Sequence, residues 1–281
     1  MGLFSGLEQF GIKVKDVDIY ATPDENKPNL DGTKKTEAKP ITEEECLFPK
    51  TYTCPICDGK FKSLAVRVGK LRSIGQDLDL RPLYKEVDPI KYDAIVCTHC
   101  GYASLSRYFN QVMPLQAKKL RAELKGNFEG LKSEGQKYSY DDAIMRYKMV
   151  LYSDVLGNVQ NSRKAYTCLK LAWTIRGKLE REAMNISEKE RKQLQEDELE
   201  CIQNAYDGYI LAFSNEHFPM SGMDEVTLTY LVAELAFRIG KYKEALTFLS
   251  RILTDQNVAS RIKDKSLDLK ERIREKVKEG Q

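Results

Sequence analysis

Two spacings of apolar residues divide this chain. In the first, Phe61 is followed by Leu64, Val66 and Val68 at a period of two, and Tyr92 leads into the run Ala94-Ile95-Val96. A period of two turns alternate side chains to one face, so both stretches predict strands. From Pro114 onward the spacing becomes helical. Pro114 suits a first helical turn, where its missing N–H costs little. Asp141-Asp142 places acids at the start of the next helix, whose predicted apolar stripe is Ala143, Ile144, Tyr147, Leu151 and Val155. A third helix aligns Ala165, Cys168, Leu169, Ala172 and Ile175. Ser187 with Glu190 forms a capping-box pattern that opens a long fourth helix, with Leu199, Ile202, Tyr206, Tyr209 and Phe213 as its predicted buried face. Leu228, Leu231, Leu235 and Phe237, then Ala245, Leu249, Ile252 and Leu253, predict a helical pair. Ile262, Leu267, Leu269 and Ile273 mark a last, heavily charged helix.

The turn inside the helical pair carries chemistry of its own. Phe237-Arg-Ile-Gly240-Lys-Tyr242-Lys-Glu-Ala245 matches the centre of a tetratricopeptide repeat. In that reading Gly240 lets the two helices approach, Tyr242 packs in the crook and Ala245 gives clearance. Only this unit matches well, so the other helices are expected to be degenerate repeats or a plain bundle.

The N-terminal 45 residues differ from both regions. Residues 1–20 place Leu3, Phe4, Leu7, Phe10 and Ile12 at spacings that fit one or two amphipathic turns. Residues 21–45 contain three prolines and almost no large apolar group, so burial cannot offset ordering entropy and a flexible linker is expected. The expected organisation is therefore a short segment 1–20, a linker 21–45, a cysteine-bearing unit 46–111 and a helical domain 112–281.

That unit is defined by Cys54-Pro-Ile-Cys57 and Cys97-Thr-His-Cys100, each followed by turn residues, Asp58-Gly59 and Gly101-Tyr102. Two sulfurs three positions apart grip one ion only if the backbone folds tightly beneath them, and glycine permits such a turn. Four thiolates make the closed tetrahedral set of a structural zinc site, so Cys54, Cys57, Cys97 and Cys100 are the expected ligands of one zinc ion. Iron is the alternative, and disulfides, a redox pair or idle core cysteines are the competing readings. His99 adjoins a ligand and is expected to point away from the metal. Cys46, Cys168 and Cys201 lie outside the pairs, and this odd count argues for a reducing compartment.

Charge adds one hint. The chain has 45 basic and 42 acidic residues, but residues 51–125 hold 13 basic against 7 acidic, a local +6 around the cysteines. A polyanion would be attracted there, although nucleic-acid binders concentrate charge more strongly. The insert between the cysteine pairs carries Arg67, Arg72, Asp77 and Asp79, a possible polar site beside the metal. No basic and apolar leader opens the chain and no run of about 18 apolar residues occurs, so a cytoplasmic protein without a membrane span is expected.

Together these stretches resemble a known family, the bacterial domain-of-unknown-function family numbered 2225, in its clostridial form. The resemblance rests on Tyr52-Thr-Cys54-Pro-Ile-Cys57, Val66-Arg67-x3-Leu71-Arg72, Asp77-Leu-Asp79-Leu-Arg81-Pro82-x-Tyr84 and Asp88-Pro-x-x-Tyr92-Asp93. It continues through Val96-Cys97-x-His99-Cys100-Gly101-Tyr102-Ala103, Phe218-Pro219-Met220-x-Gly222-Met223-Asp224-Glu225, Gly240-Lys-Tyr242 and Lys263-Asp264-Lys265. Thr98 departs from the proline often found after the third cysteine, a position that supplies no sulfur. The resemblance implies a fold, not a reaction: a mainly α protein with a small β/metal unit, in which a zinc-ribbon-like N-terminal domain precedes a tetratricopeptide-like helical array.

Function is then expected to be that of a non-catalytic, zinc-binding adaptor whose helices engage a protein partner. The alternative is nucleic-acid binding by the basic segment, with Tyr84, Tyr92, Tyr102, Tyr108 and Phe109 as stacking rings. A third reading is an enzyme using the arginine–aspartate insert. Against it, no catalytic residues are identified: the two histidines, His99 and His217, lie far apart and in no recognisable catalytic motif.

Overall fold

A computed structural model describes residues 41–124, 128, 130 and 135–279. The expected amphipathic segment 1–20 and most of the expected linker lie outside these residues. The end of that stretch, from Ile41, is described, and Glu44–Cys46 form a 3-10 turn. Glu43 is tied into the body, its carboxylate 2.6 Å from Lys91 Nζ and accepting from the Tyr92 hydroxyl at 2.8 Å.

Three two-stranded antiparallel hairpins follow. Strand β1 (Leu47–Thr53) pairs with β2 (Lys60–Val66), setting Tyr52 opposite Phe61. Strand β3 (Ser73–Gln76) pairs with β4 (Pro82–Tyr84), and β5 (Ala94–Val96) with β6 (Ala103–Leu105). The alternation read at Leu64 and Val66 belongs to β2, but Val68 leaves the strand in a 3-10 turn and is exposed.

Seven α-helices complete the described residues: α1 (Pro114–Leu124), α2 (Tyr140–Leu156), α3 (Asn161–Arg181), α4 (Glu188–Asn215), α5 (Glu225–Arg238), α6 (Tyr242–Thr254) and α7 (Ser260–Glu279). Their starts are chemically marked. Ser139 and Asp142 cap α2 reciprocally, Ser187 accepts from Glu190 N at α4, and Asp224 accepts from Thr227 N at α5. Each cap satisfies a backbone N–H that the first turn leaves without a partner. At α3 the cap comes from a distant residue, because the Glu216 carboxylate accepts from Asn161 N at 2.6 Å and Ser162 N at 3.2 Å.

Helix α3 packs against both α2 and α4, α5 against α6, and α6 against α7. The largest apolar cluster joins these helices to the third hairpin: Ile90, Ala94, Val96, Ala103 and Leu105 share it with Tyr147, Val150, Leu169 and Leu231. Residues 41–281 accordingly form one compact unit. Two hydrogen bonds stitch hairpin to helix, from Tyr147 Oη to Ile90 O at 2.8 Å and from Ala103 N to Ser153 Oγ at 3.1 Å.

The helical stripes fall mainly where the spacing puts them, with instructive exceptions. All five residues of the α3 stripe are buried. On α2, however, Val155 is 58 % exposed while Val150 and Asp154 are buried. The core side of α2 runs through Tyr147, Val150 and Asp154 because Asp154 has an internal partner, Arg163 Nη2 at 2.8 Å. Leu199 on α4 and Leu267 on α7 are likewise exposed.

Candidate metal centre

The tips of the first and third hairpins are built alike. In the first, Asp58 N donates to Cys54 O at 3.0 Å and Cys54 N donates to Gly59 O at 3.0 Å. In the other, Gly101 N donates to Cys97 O at 3.0 Å and Cys97 N to Tyr102 O at 2.8 Å. Each tip needs one residue with a left-handed backbone, four positions after its first cysteine. That residue is Asp58 in the first, at φ +59°, and Gly101 in the second, at φ +76°. Aspartate tolerates this region better than most residues. The glycine after the first pair therefore does different work from that read in the sequence. A Cβ on Gly59 would lie 2.6 Å from His99 Cδ2 and 3.3 Å from Cys57 Sγ, so its bare backbone makes room for the ring.

His99 uses that room to bridge the tips. Its Nε2 lies 2.9 Å from Lys60 O, and the ring stays outside the sulfur cluster, as the sequence implied.

The four sulfurs of Cys54, Cys57, Cys97 and Cys100 all lie within 4.8 Å of one another. Cys54 and Cys100 are 3.6 Å apart, and Cys57 and Cys97 are 3.7 Å apart. A tetrahedron with metal–sulfur bonds of about 2.3 Å has edges of about 3.8 Å, so these separations fit a shared ion. They are far too long for the roughly 2.05 Å of a disulfide. Hydrogen bonding from Cys100, then Cys54, holds the Cys97 thiol far below its ordinary range, while contacts with Cys54 and Cys97 push the Cys100 thiol up. Four sulfurs this close cannot all be anionic unless a cation sits among them. The cluster could hold a metal ion.

Support comes from both sides. Ile56, Phe61, Ile95, Tyr102 and Phe109 pack beneath the sulfurs with Leu120 and Leu124 of α1. Arg121 Nε donates to Ile56 O at 2.7 Å, tying α1 to the first tip. Cys54 and Cys97 are fully buried, whereas Cys57 is exposed.

The expected polar site takes a different form. Arg67 stacks on Phe48, its Cζ 5.1 Å from the ring centroid, and Arg72 Nε lies 3.6 Å from Glu86. Asp77 and Asp79 meet Arg81 of their own turn and arginines of α3 and α5. Asp77 accepts from Arg81 Nε at 2.6 Å and Arg176 Nη1 at 3.2 Å. Asp79, fully buried, lies 2.8 Å from Arg176 and 3.7 Å from Arg238. Arg176 also reaches Glu198 at 2.7 Å, and Arg81 reaches Glu180. Burial opposes ionisation of Asp79, but Arg176 and Arg238 outweigh it and keep the carboxyl below its ordinary range. This network ties the β3–β4 hairpin to α3, α4 and α5. Arg176 and Arg238 were missed because each sits in a helical apolar pattern where only a lone charge marks it.

At the α5–α6 turn, Gly240 has φ +76° and nothing lies within 4 Å of where a Cβ would stand. The glycine is required by the backbone conformation, not by close approach of the helices. Tyr242 packs on Phe237 at 5.9 Å between centroids, and Ala245 is fully buried. Of the candidate stacking rings, Tyr92, Tyr102 and Phe109 are buried, while Tyr84 and Tyr108 are half-buried.

Fold and cluster together define a mainly α-helical protein with small antiparallel hairpins that carry a four-cysteine, metal-competent site. A family model described as an uncharacterized protein conserved in bacteria, domain-of-unknown-function family 2225, matches residues 47–278. The chain belongs to that family. No curated protein and no solved structure matched it. Among the described residues, no helix is long and apolar enough to cross a membrane.

Proposed function

We propose that this protein is a non-catalytic adaptor in which one zinc ion on Cys54, Cys57, Cys97 and Cys100 fixes the hairpin unit and the tetratricopeptide-like helices bind a protein partner. Four thiolates complete a zinc ion's coordination and leave no position for a reacting water. The observation that carries the partner reading is an open cleft of about 520 Å³ between α4, α5 and α6. Phe213, Phe218, Phe248 and Val258 line it, and Glu225, Arg251 and Asp255 stand at its edge. Aromatic walls with a charged rim suit an apolar anchor held in register by polar contacts.

Affinity capture with the full chain, before and after nuclease treatment, tests this. A protein partner that survives nuclease and is lost on Phe248→Asp supports the reading. A partner lost with nuclease moves function to the basic segment; one indifferent to Phe248→Asp removes the cleft from the proposal.

A further inference from the structure

A second cavity, of about 500 Å³, lies between β2, the second cysteine turn and α2. Lys60, Lys62, Ser63, Tyr138 and Arg146 line it, and it lies apart from the cleft assigned to a protein partner. Arg146 is only 5 % exposed and forms no ion pair among the described residues. Its guanidinium lies over the Tyr138 ring, Cζ 3.9 Å from the centroid. A cation over a ring face is held by the ring's π electrons, a contact that satisfies no N–H donor. Nη1 is buried and has no hydrogen-bond partner among the described residues. The nearest carboxylate on its own helix, Asp142 one turn earlier, is engaged by Ser139 N at 3.0 Å and Ser139 Oγ at 2.8 Å.

A buried charged donor left without an acceptor is costly, more so than a neutral one. Burial is also the leading influence on Arg146, lowering its affinity for its proton. Among the described lining residues, the two lysines, Lys60 and Lys62, share its sign. Lys60 and Lys62 alternate along β2, so they project from one face. Both are exposed and neither forms an ion pair among the described residues. Ser63 and Tyr138 hydroxyls are 3.2 Å apart, and Tyr138 Oη accepts from Leu64 N at 3.1 Å. One of their two hydroxyl hydrogens thus remains to donate. Among the described residues no carboxylate lines the cavity, while Pro49, Phe61 and Leu64 give it an apolar wall.

We propose that this cavity binds the phosphoryl group of a small phosphomonoester. Arg146 supplies in-plane donors to the oxygens, Lys60 and Lys62 supply charge at the mouth, and the apolar wall receives the organic body. Arginine matches phosphate geometry with paired donors, and the volume falls within the range usual for small-ligand pockets.

Calorimetric titration of full-length, metal-loaded protein with phenyl phosphate and with inorganic phosphate, at ionic strength fixed by chloride, tests the proposal. Saturable binding is expected, tighter for phenyl phosphate. Lys60→Gln/Lys62→Gln, two exposed positions, should weaken it at least tenfold without loss of metal. Arg146→Lys keeps the charge but not the fork and should weaken it comparably; if that variant does not fold, the lysine pair decides. Absence of saturable binding, or unchanged affinity in the lysine variant, overturns the proposal. Equal affinity for the two probes overturns the phosphomonoester assignment in favour of free phosphate.

Discussion

Asp79 and Arg176 are separated by about a hundred residues, yet the carboxylate lies 2.8 Å from the guanidinium and is fully buried. The pair fastens the β3–β4 hairpin to α3, and Arg238 of α5 approaches the same carboxylate at 3.7 Å. Removing one partner strands the other charge. Arg176→Met should destabilise the protein by about 3–5 kcal/mol. Asp79→Asn/Arg176→Met should cost less than the sum of the single changes. Urea melts of the three variants check this, and additive losses would show the pair to be uncoupled.

Acid stability follows from the same groups. Asp93 is also held low: burial opposes its ionisation, but Lys170 and Ser106 outweigh that effect. A carboxyl whose folded pKa is depressed adds stability that is complete above its unfolded value of about 3.9 and disappears as pH falls through the folded value. Asp154 and Glu234 act in the opposite sense, because burial, their largest influence, raises them despite Arg163 and Arg272. Asp79→Asn and Asp93→Asn should each flatten the loss of stability on the acid side of pH 4 relative to the parent, read from melting temperature against pH. An unchanged acid slope in both variants would count against the assignment.

Metal content tests the four-cysteine cluster directly. One equivalent of zinc is expected on elemental analysis of protein purified under reducing conditions, with iron as the alternative occupant. Cys54→Ser should lose the metal, whereas Cys168→Ser, on the buried face of α3, should retain it. Because binding energy at such a site is largely folding energy, chelation should expose the hairpin tips to protease while most helix signal remains. Less than about half an equivalent of any metal would refute the site.

The two kinds of glycine can be separated. Gly59→Ala faces a contact of 2.6 Å with His99 but no unusual φ, so shortening the ring in Gly59→Ala/His99→Ala should recover part of the loss. Gly240→Ala faces only the left-handed φ of +76°, which costs a non-glycine residue about 1 kcal/mol. Gly240→Asn should cost less than Gly240→Ala. Thermal melts distinguish the cases, and rescue failing at Gly59 would mean the ring is not the obstacle.

A fragment of residues 112–281 should retain helix but melt broadly. It would lack Ile90, Val96, Ala103 and Leu105, which share the largest apolar cluster with α2 and α3. Circular dichroism with dye binding to exposed apolar surface reads this out; a sharp melt without dye binding would show that the helices complete a core unaided.

Local chemistry was enough to read the helices, the Ser187 cap and the two cysteine pairs, because a spacing of 3.6, a Ser-x-x-Glu or a Cys-x-x-Cys acts within a few residues. The four sulfurs were legible for the same reason, since two short motifs each preorganise half of the cluster. The ends of the stripes were not: whether Val155 or Asp154 faces the core depends on Arg163 standing opposite, and helical spacing carries no record of the opposing element. Asp77 and Asp79 could be seen as unusual, but their partners Arg176 and Arg238 follow roughly a hundred and more residues later and are chosen only when α3 and α5 pack against the hairpin. Arg146 is the clearest case. In the sequence it is one arginine on a helix; only tertiary packing buries it against Tyr138 with an N–H unpaired, because desolvation is a property of the folded surroundings and not of the residue.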